Sequence, residues 1–311
     1  MQIKWTDNLQ ITHHGEIILS KDGFDVIECS SCGFKHIVPF ADETTTEEFY
    51  SDKFYNEEKD NYISNHQKDM DWWLIEHNEK YDLFEEYLKE PGRRILDIGS
   101  GPGFFLKAGS DRGWDVTGVE PGKAAFKFSR QELNLNVKNV FFCRETFQDF
   151  GTFDVIHLNN VLEHVISPIE MVAMAKSILR PEGLLSITTP NDFNPLQNIA
   201  VKYFGKKHWW VVPDHHLNYF TAHTLRKLLI ARGMTPIFDS SSFPLELFLL
   251  MGEDYIENKE IGREIHKKRM TMEKNFHNAG MSKLRREIYT KLGEIGLGRQ
   301  ITIISRKEKE S

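Results

Sequence analysis

From Arg94 onward the chain alternates between short apolar runs and segments whose apolar residues recur every three or four positions. Ile95–Ile98, Asp115–Val119, Val140–Cys143, Asp154–Leu158, Leu184–Thr188 and Met234–Phe238 read as six strands. Phe104–Gly113, Lys123–Leu133, Ile169–Leu179 and Thr224–Arg232 read as helices between them. Strands alternating with helices predict a parallel sheet with right-handed crossovers. One more β-type run, Gln300–Ser305 (QITIIS), stands far beyond the sixth strand, across a stretch of helical patterning. In a parallel sheet closed by a reversed final strand, that strand normally comes soon after the sixth. Residues 244–297 therefore read as a helical insertion before the last strand. The fold class expected is α/β, a doubly wound, mostly parallel seven-stranded sheet.

Ahead of Arg94 the pattern differs. Ile17-Ile18-Leu19 and Phe24–Ile27 flank the turn signal Lys21-Asp22-Gly23, so residues 1–40 read as a small unit of short strands. Residues 41–91 are acidic and aromatic and read as a helical linker or cap. Glu47–Tyr50 and Asp71–Leu88 carry the helical spacing, the second offering Trp73, Leu74, His77, Tyr81, Leu83 and Phe84 as one broad face. Pro91-Gly92 ends the stretch. Residues 92–243 and 298–307 are left as the core.

Composition narrows the class. The chain has 311 residues, 40% hydrophobic and 27% charged, the balance of an ordinary folded protein. A formal charge of −7 argues against a nucleic-acid partner. No apolar run approaches the ~20 residues that span a bilayer, and MQIKWTDNLQ lacks the apolar core of a signal peptide. Three cysteines make no disulfide framework. A cytoplasmic protein is expected.

The central chemical signal is Ile95-Leu96-Asp97-Ile98-Gly99-Ser100-Gly101-Pro102-Gly103-Phe104, a buried strand running through a glycine-rich turn into a helix. The spacing is G-x-G-x-G. A dinucleotide fingerprint needs its third glycine where Phe104 stands, and no G-K-[ST] comes after it to make a P-loop. Asp97, two residues before the first glycine, suits a cationic ligand and repels a pyrophosphate. Glu120-Pro121 ends the second strand, where an acid accepts hydrogen bonds from both ribose hydroxyls. The pattern points to a phosphate-free, positively charged nucleoside.

On these residues the chain resembles the class I S-adenosylmethionine-dependent methyltransferases. ILDIGSGPG is similar to their first motif, VTGVEPG to the end of their second strand, FDVIHLNNVLEHV to their fourth strand with the segment after it, and LRPEGLLSITTPN to the turn into the fifth. The resemblance covers about residues 94–240. It implies that Glu145, Thr146 and Phe147 lie near the adenine, and Asn159 and Asn160 near the methionine end. PNDFNPLQ, KKHWWVVPDHHLNYFT and the cysteine pair resemble, more narrowly, methyltransferases of surface-polysaccharide and sugar modification.

Methyl transfer to a hydroxyl needs alignment and a proton acceptor. Asp214-His215-His216-Leu217-Asn218-Tyr219 is dense in groups that take or orient a proton, with Trp209 and Trp210 ahead of it as a candidate stacking wall. His215, His216 and the His164 of Glu163-His164 are the catalytic candidates; the other reading makes His215 and His216 hydrogen-bonded loop residues that shape the fold, and His164 a structural residue next to the cofactor.

Cys29-Ser30-Ser31-Cys32-Gly33-Phe34-Lys35-His36 reads C-x-x-C-x3-H, a zinc-ribbon-like knuckle. With His14, or its neighbour His13, as fourth ligand it makes a Cys2His2 set for a structural zinc. In the insertion, His266–Arg269 and Lys283, Arg285 and Arg286 form basic clusters, read as a solvated face, as a surface for an anionic acceptor such as a nucleotide sugar, or as part of a lid or homodimer contact. The leading expectation is O-methylation of a sugar, glycan or other small hydroxylated acceptor. The alternatives are a quinone or phenol O-methyltransferase, a sugar C-methyltransferase, and a catalytically silent cofactor-binding scaffold.

Overall fold

The structure is a computed structural model that describes residues 1–7, 10–40 and 62–309. The helix expected at Glu47–Tyr50 lies outside the described residues. The chain opens with strands β1 (Gln2–Thr6), β2 (Thr12–Lys21), β3 (Phe24–Cys29) and β4 (Lys35–Val38), paired in sequence as an antiparallel meander. Helices α1 (Tyr62–Lys68) and α2 (Met70–Tyr87) come next. The alternating region then gives β5 (Arg94–Ile98), α3 (Phe104–Asp111), β6 (Asp115–Val119), α4 (Lys123–Gln131), β7 (Val137–Lys138), β8 (Phe153–Asn159), α5 (Pro168–Ser177) and β9 (Leu179–Pro190). Beyond it come α6 (Pro195–Phe204), β10 (Asn218–Tyr219), α7 (Ala222–Ala231), β11 (Met234–Ser241), α8 (Glu246–Leu250), α9 (Lys259–Asn278), α10 (Ser282–Glu294) and β12 (Gln300–Lys307).

Seven strands form one sheet in the order β11-β12-β9-β8-β5-β6-β7. From β9 to β7 every neighbouring pair is parallel. β12 is antiparallel to both its neighbours, so QITIIS is the reversed strand. The fold is therefore the seven-stranded, mostly parallel sheet read from the sequence, with an antiparallel N-terminal sheet bearing a Cys/His cluster. The strand alternation sets which side chain faces which layer. Leu96, Ile98, Ile156, Leu158 and Ile187 face α5 and α7 in the larger apolar cluster. Ile95, Val155, Leu184 and Ile304 face α2 and α3 with Tyr81, Phe84 and Phe105. Asp97 and His157 fall on this second face, as polar exceptions.

Caps fix the helix starts around the carboxyl ends of the strands. Asn194 caps α6 through the amides of Leu196 and Gln197, with Pro195 in the first turn. Thr221 caps α7 in a box with Thr224, and Ser167 caps α5. The α6 helix and β10 carry no expectation from the sequence pattern, because residues 191–220 are short polar and aromatic pieces without a sustained period.

Three local expectations are corrected. The third strand is Val137–Lys138, ahead of the expected Val140–Cys143. The Asn139 carboxamide donates to the carbonyls of Glu120 and Pro121, taking over from the ladder, and the chain then turns so that Phe142 enters the core. On α2, Trp72 and Ile75 are buried while Leu74 is exposed, so the apolar face is rotated from the one expected. Trp210 is core, packed with Val26, Ile37 and Tyr219, and is no stacking wall.

The insertion 244–297 holds α8, α9 and α10. It is fastened to α2. Glu273 of α9 accepts hydrogen bonds from the Trp72 indole (2.5 Å) and the Tyr289 hydroxyl (2.6 Å). Arg285 of α10 is buried and pairs with Glu76 and Glu79. Arg285 is thus an internal fastener and no part of a surface for an anionic acceptor. Arg285→Met should lower stability by about 3 kcal/mol, since it leaves carboxylates uncompensated under the helix layer. Arg286→Ala, whose partner Glu86 is exposed, should cost less than about 1 kcal/mol. Urea unfolding of the two variants checks the contrast.

Candidate functional site

The glycine turn leads directly out of β5. Gly99 has φ +72°, and a Cβ there would lie 2.6 Å from Val161 Cγ2, so the segment after β8 can close on the turn only over a glycine. Gly103, at φ +85°, is the N-cap of α3, and a Cβ on it would strike Leu135. The amides of Gly99 and Ser100 donate to the Val119 carbonyl, which tethers the turn to the end of β6.

Two carboxylates flank this turn, and both are buried. Glu120 accepts from the amides of Gly101 and Gly122, each at 2.7 Å. Burial pushes its carboxyl up to about 7 against those two hydrogen bonds. Asp97 accepts from His157 Nδ1 at 2.7 Å, and burial pushes its carboxyl up to about 8. Beside them Ser100 Oγ is buried without a hydrogen-bond partner among the described residues. The donor set fits a ligand bringing positive charge and hydroxyl groups, as S-adenosylmethionine does, and opposes a pyrophosphate.

Aromatic rings cover the start of α3. His66 of α1 stacks on Phe104 (centroids 4.6 Å apart) and on Trp73 (4.3 Å). Tyr62 of the same helix is enclosed near Glu120, whose charge holds its phenol up, after burial. Pro121 is half-buried beside Glu120. Thr146 spends its hydroxyl on its own turn, donating to the Phe141 carbonyl (2.6 Å) and accepting from the Cys143 amide (3.1 Å). Phe147 packs on the apolar cluster. Asn159 is exposed, whereas Asn160, at φ +55°, accepts from Gln300 Nε2 at 2.8 Å.

The catalytic candidates come together at the carboxyl end of β8. Glu163, His164 and His216 each bring a ligand-type atom within 4.8 Å of the others. The His164 and His216 rings meet edge to face at 5.0 Å. His164 Nδ1 donates to the His215 carbonyl at 2.6 Å, so His215 enters through its backbone. Glu163 accepts from Thr189 Oγ1 at 3.0 Å, and burial pushes its carboxyl up to about 8. The Glu163 carbonyl also accepts the amides of Leu217 and Asn218, which ties the histidine loop to this segment. Such a set can relay a proton or hold a divalent cation.

The N-terminal cluster is His13, Cys29, Cys32 and His36, again with ligand atoms within 4.8 Å of one another. His14 is corrected to His13. Alternation along β2 turns His14 to solvent and His13 inward. His13 Nδ1 faces Cys32 Sγ (3.3 Å) and Cys29 Sγ (3.7 Å), while its Nε2 meets Asp7 Oδ2 at 3.2 Å. His36 Nδ1 donates to the Ile37 carbonyl, leaving buried Nε2 with no partner among the described residues. Hydrogen bonds from Cys32 and His13 pull Cys29 toward the thiolate. Outer partners that fix both imidazoles are what a metal-binding histidine has.

Sequence reasoning passed over Lys80 and His157. Lys80 Nζ lies 3.3 Å from His157 Nε2 and donates to Thr188 Oγ1 at 2.9 Å. The only trace of this contact in the sequence is a histidine interrupting the apolar run of β8.

The sheet order with a reversed β12 and the acid-flanked glycine turn define the class I S-adenosylmethionine-dependent methyltransferases. A family model described as a methyltransferase domain matches residues 72–237, and the chain belongs to that family. The ubiquinone biosynthesis O-methyltransferase of Glaesserella parasuis is 33% identical over 109 residues, 32% of this chain and 46% of that protein. Its counterpart in Hahella chejuensis is 28% identical over 134 residues, 39% of this chain and 56% of that protein. The chain thus spans about half the length of the curated relatives it matches. Among solved structures, a SAM-dependent methyltransferase from Archaeoglobus fulgidus is similar with a TM-score of 0.51 at 19% identity, covering 80% of this chain and 100% of that one. The plantazolicin methyltransferase BpumL in complex with SAH gives a TM-score of 0.50 at 16% identity, covering 85% and 95%. At these identities the structures bear on the fold.

The two raised carboxyls predict a pH dependence. Asp97 and Glu120 keep protons in the fold, up to about 8 and about 7, that they lose near pH 4 when unfolded. Between those limits the folded state binds more protons, so stability falls as pH rises from about 4 to 8. Ligand-free protein should lose about 3 kcal/mol through Glu120 and about 5 kcal/mol through Asp97 across that window, read by urea unfolding at stepped pH. Glu120→Gln should make the fall shallower between about pH 4.5 and 7.

Proposed function

We propose that the protein is an S-adenosylmethionine-dependent O-methyltransferase acting on a small hydroxylated acceptor, a sugar or glycan-related hydroxyl in the first instance. The observation that carries the cofactor half is the pair of buried carboxylates on one glycine turn. Asp97 takes the cationic end of the cofactor and Glu120 its ribose hydroxyls. Gly99, Ser100, Gly101, Gly103 and Phe104 form the bed, Pro121, Thr146 and Phe147 border the base, and Asn159 and Asn160 border the methionine end. When bound, the cofactor supplies the methyl group on a sulfonium and leaves as a neutral thioether.

The protein aligns the acceptor, which can be worth about 7–11 kcal/mol of barrier. His164, its Nδ1 proton held by the His215 carbonyl and its Nε2 3.7 Å from Glu163 Oε1, is the group suited to take the hydroxyl proton. His216 and Glu163 flank it, the latter kept neutral by burial. Asn160 and Gln300, hydrogen-bonded to each other at the carboxyl end of the sheet, supply polar groups suited to a polyhydroxylated acceptor. The names of the relatives favour a second reading, a phenolic acceptor of the ubiquinone type. The residues of the N-terminal cluster suit a tetrahedral zinc held by His13, Cys29, Cys32 and His36, with a structural part. We take residues 1–40 as that zinc unit, 41–91 as a cap, 92–243 with 298–307 as the cofactor core, and 244–297 as the insertion.

The test is transfer of label from methyl-labelled cofactor to nucleotide sugars and to catechols. Transfer to the sugars supports the first reading, transfer to catechols alone the second, and tight cofactor binding with no transfer the scaffold. His164→Ala and His216→Ala should lower kcat by about 10²-fold or more, with S-adenosylhomocysteine affinity within about twofold.

For the metal, native mass spectrometry should find one zinc per chain. His13→Ala should abolish it and His14→Ala should leave it. Zinc retained in the His13 variant would overturn the ligand set.

A further inference from the structure

A hydrogen-bonded chain of side chains crosses the sheet beneath the glycine turn. It runs from Thr302 Oγ1 of β12 to Thr188 Oγ1 of β9 (2.8 Å), to Lys80 Nζ of α2 (2.9 Å), to His157 Nε2 of β8 (3.3 Å), and from His157 Nδ1 to Asp97 Oδ1 of β5 (2.7 Å). His157 and Asp97 are buried, and Phe105 stacks on the imidazole with centroids 4.1 Å apart. Lys80 is half-buried as a residue, but its ammonium end is enclosed.

The direction of this chain is fixed by its first donor. An ammonium has protons and no lone pair, so Lys80 can only donate to His157 Nε2. The neutral ring must then carry its proton on Nδ1, where it donates to Asp97. We infer that Lys80 is a positioning residue for the cofactor, acting through His157 to favour the ionised form of the Asp97 carboxylate and to aim it at the cation it receives. The inference rests on the proposed role of Asp97.

The surrounding charges agree with this assignment. Burial alone drives Asp97 toward its neutral form, and Lys80 is the group that opposes it. Burial lowers Lys80 to about 8, with Glu76 and Asp97 supporting its charge. Glu76 is engaged by Arg285. His77, on the same helix, is lowered to about 3 by burial and is neutral, and burial keeps the Tyr81 phenol neutral. His157 is held neutral by burial and by Lys80. Glu120, at the end of β6, titrates near 7 and also sees Asp97. Its contribution to cofactor binding is common to the wild type and any Lys80 variant, so the difference between them isolates Lys80.

The experiment is calorimetric binding of S-adenosylhomocysteine from pH 6 to 9. Wild-type affinity should rise with pH and level off. In Lys80→Met the midpoint of that rise should move up by about one unit, so binding at pH 7 weakens about tenfold and recovers at high pH. Lys80→Arg keeps the charge and should restore the wild-type midpoint. His157→Phe keeps the stack on Phe105 but passes no charge, and should give the same upward shift if Lys80→Met does not fold. A merely structural role would weaken binding equally at every pH, and that result, or an unmoved midpoint in Lys80→Met and His157→Phe, overturns the inference. Asp97→Asn separates the two levels. If it weakens binding while the Lys80 variants leave the midpoint in place, the relay alone fails. If it leaves binding unchanged, the reading of Asp97 itself fails.

Discussion

Two carboxylates are sunk at the carboxyl ends of adjacent parallel strands, and most of the local architecture exists to make that tolerable. An isolated buried carboxylate neutralises itself unless something compensates it. Glu120 is compensated by backbone. The turn from Gly99 to Gly103 must bend back far enough for the Gly101 amide to reach it, and only residues without a Cβ allow that bend under Val161 and Leu135. Asp97 is compensated by side chains, through His157 from Lys80. The turn and its acids are therefore one device. A cation with vicinal hydroxyls is the ligand proposed to complete it, since it would favour the ionised form of both acids.

The appendages act on opposite ends of this device. The antiparallel N-terminal sheet takes its fifth strand from the core. β10 pairs with β4, Asn218 opposite His36, and the Ile37 amide donates to the Leu217 carbonyl. The histidine loop is thereby held between the Cys/His cluster on one side and the Glu163 carbonyl on the other. The insertion instead grips α2, through Arg285, Glu273 and Trp72. That helix carries Lys80 and stands next to α1, whose His66 covers Phe104. One appendage thus holds the histidine loop and the other holds the helix beside the glycine turn.

The parts of this arrangement that repeat along the chain were legible. Alternating strands and helices gave the sheet, and a detached β run after a helical stretch gave the insertion and the reversed strand. Glycines two apart with an acid before them and another at the next strand end gave the turn. What was not legible depends on a single residue or on distant pairing. The short β7 is ended by one asparagine side chain. The choice of His13 over His14 is made by the register of β2 against β3, which a histidine pair leaves open by one residue. Lys80 looks like any lysine on an amphipathic helix. Nothing local says that its ammonium turns inward, because its partners stand 77 and 108 positions away.

The same distinction explains why the acceptor is harder to read than the cofactor. A cofactor site built from one strand, one turn and the end of the next strand is a local object, and its chemistry is written in consecutive residues. The proposed acceptor side draws on Asn160 and Glu163 from the end of β8, His216 before β10 and Gln300 at the start of β12. Their relative placement is decided by how the loop between β9 and α7 is pinned, and its pins lie in the N-terminal sheet. Trp210, which looked like a ligand platform, is consumed as one of them, buried against Val26 and Ile37. The cysteine unit and the histidine loop, joined where β10 pairs with β4, are a single structural element split across the chain.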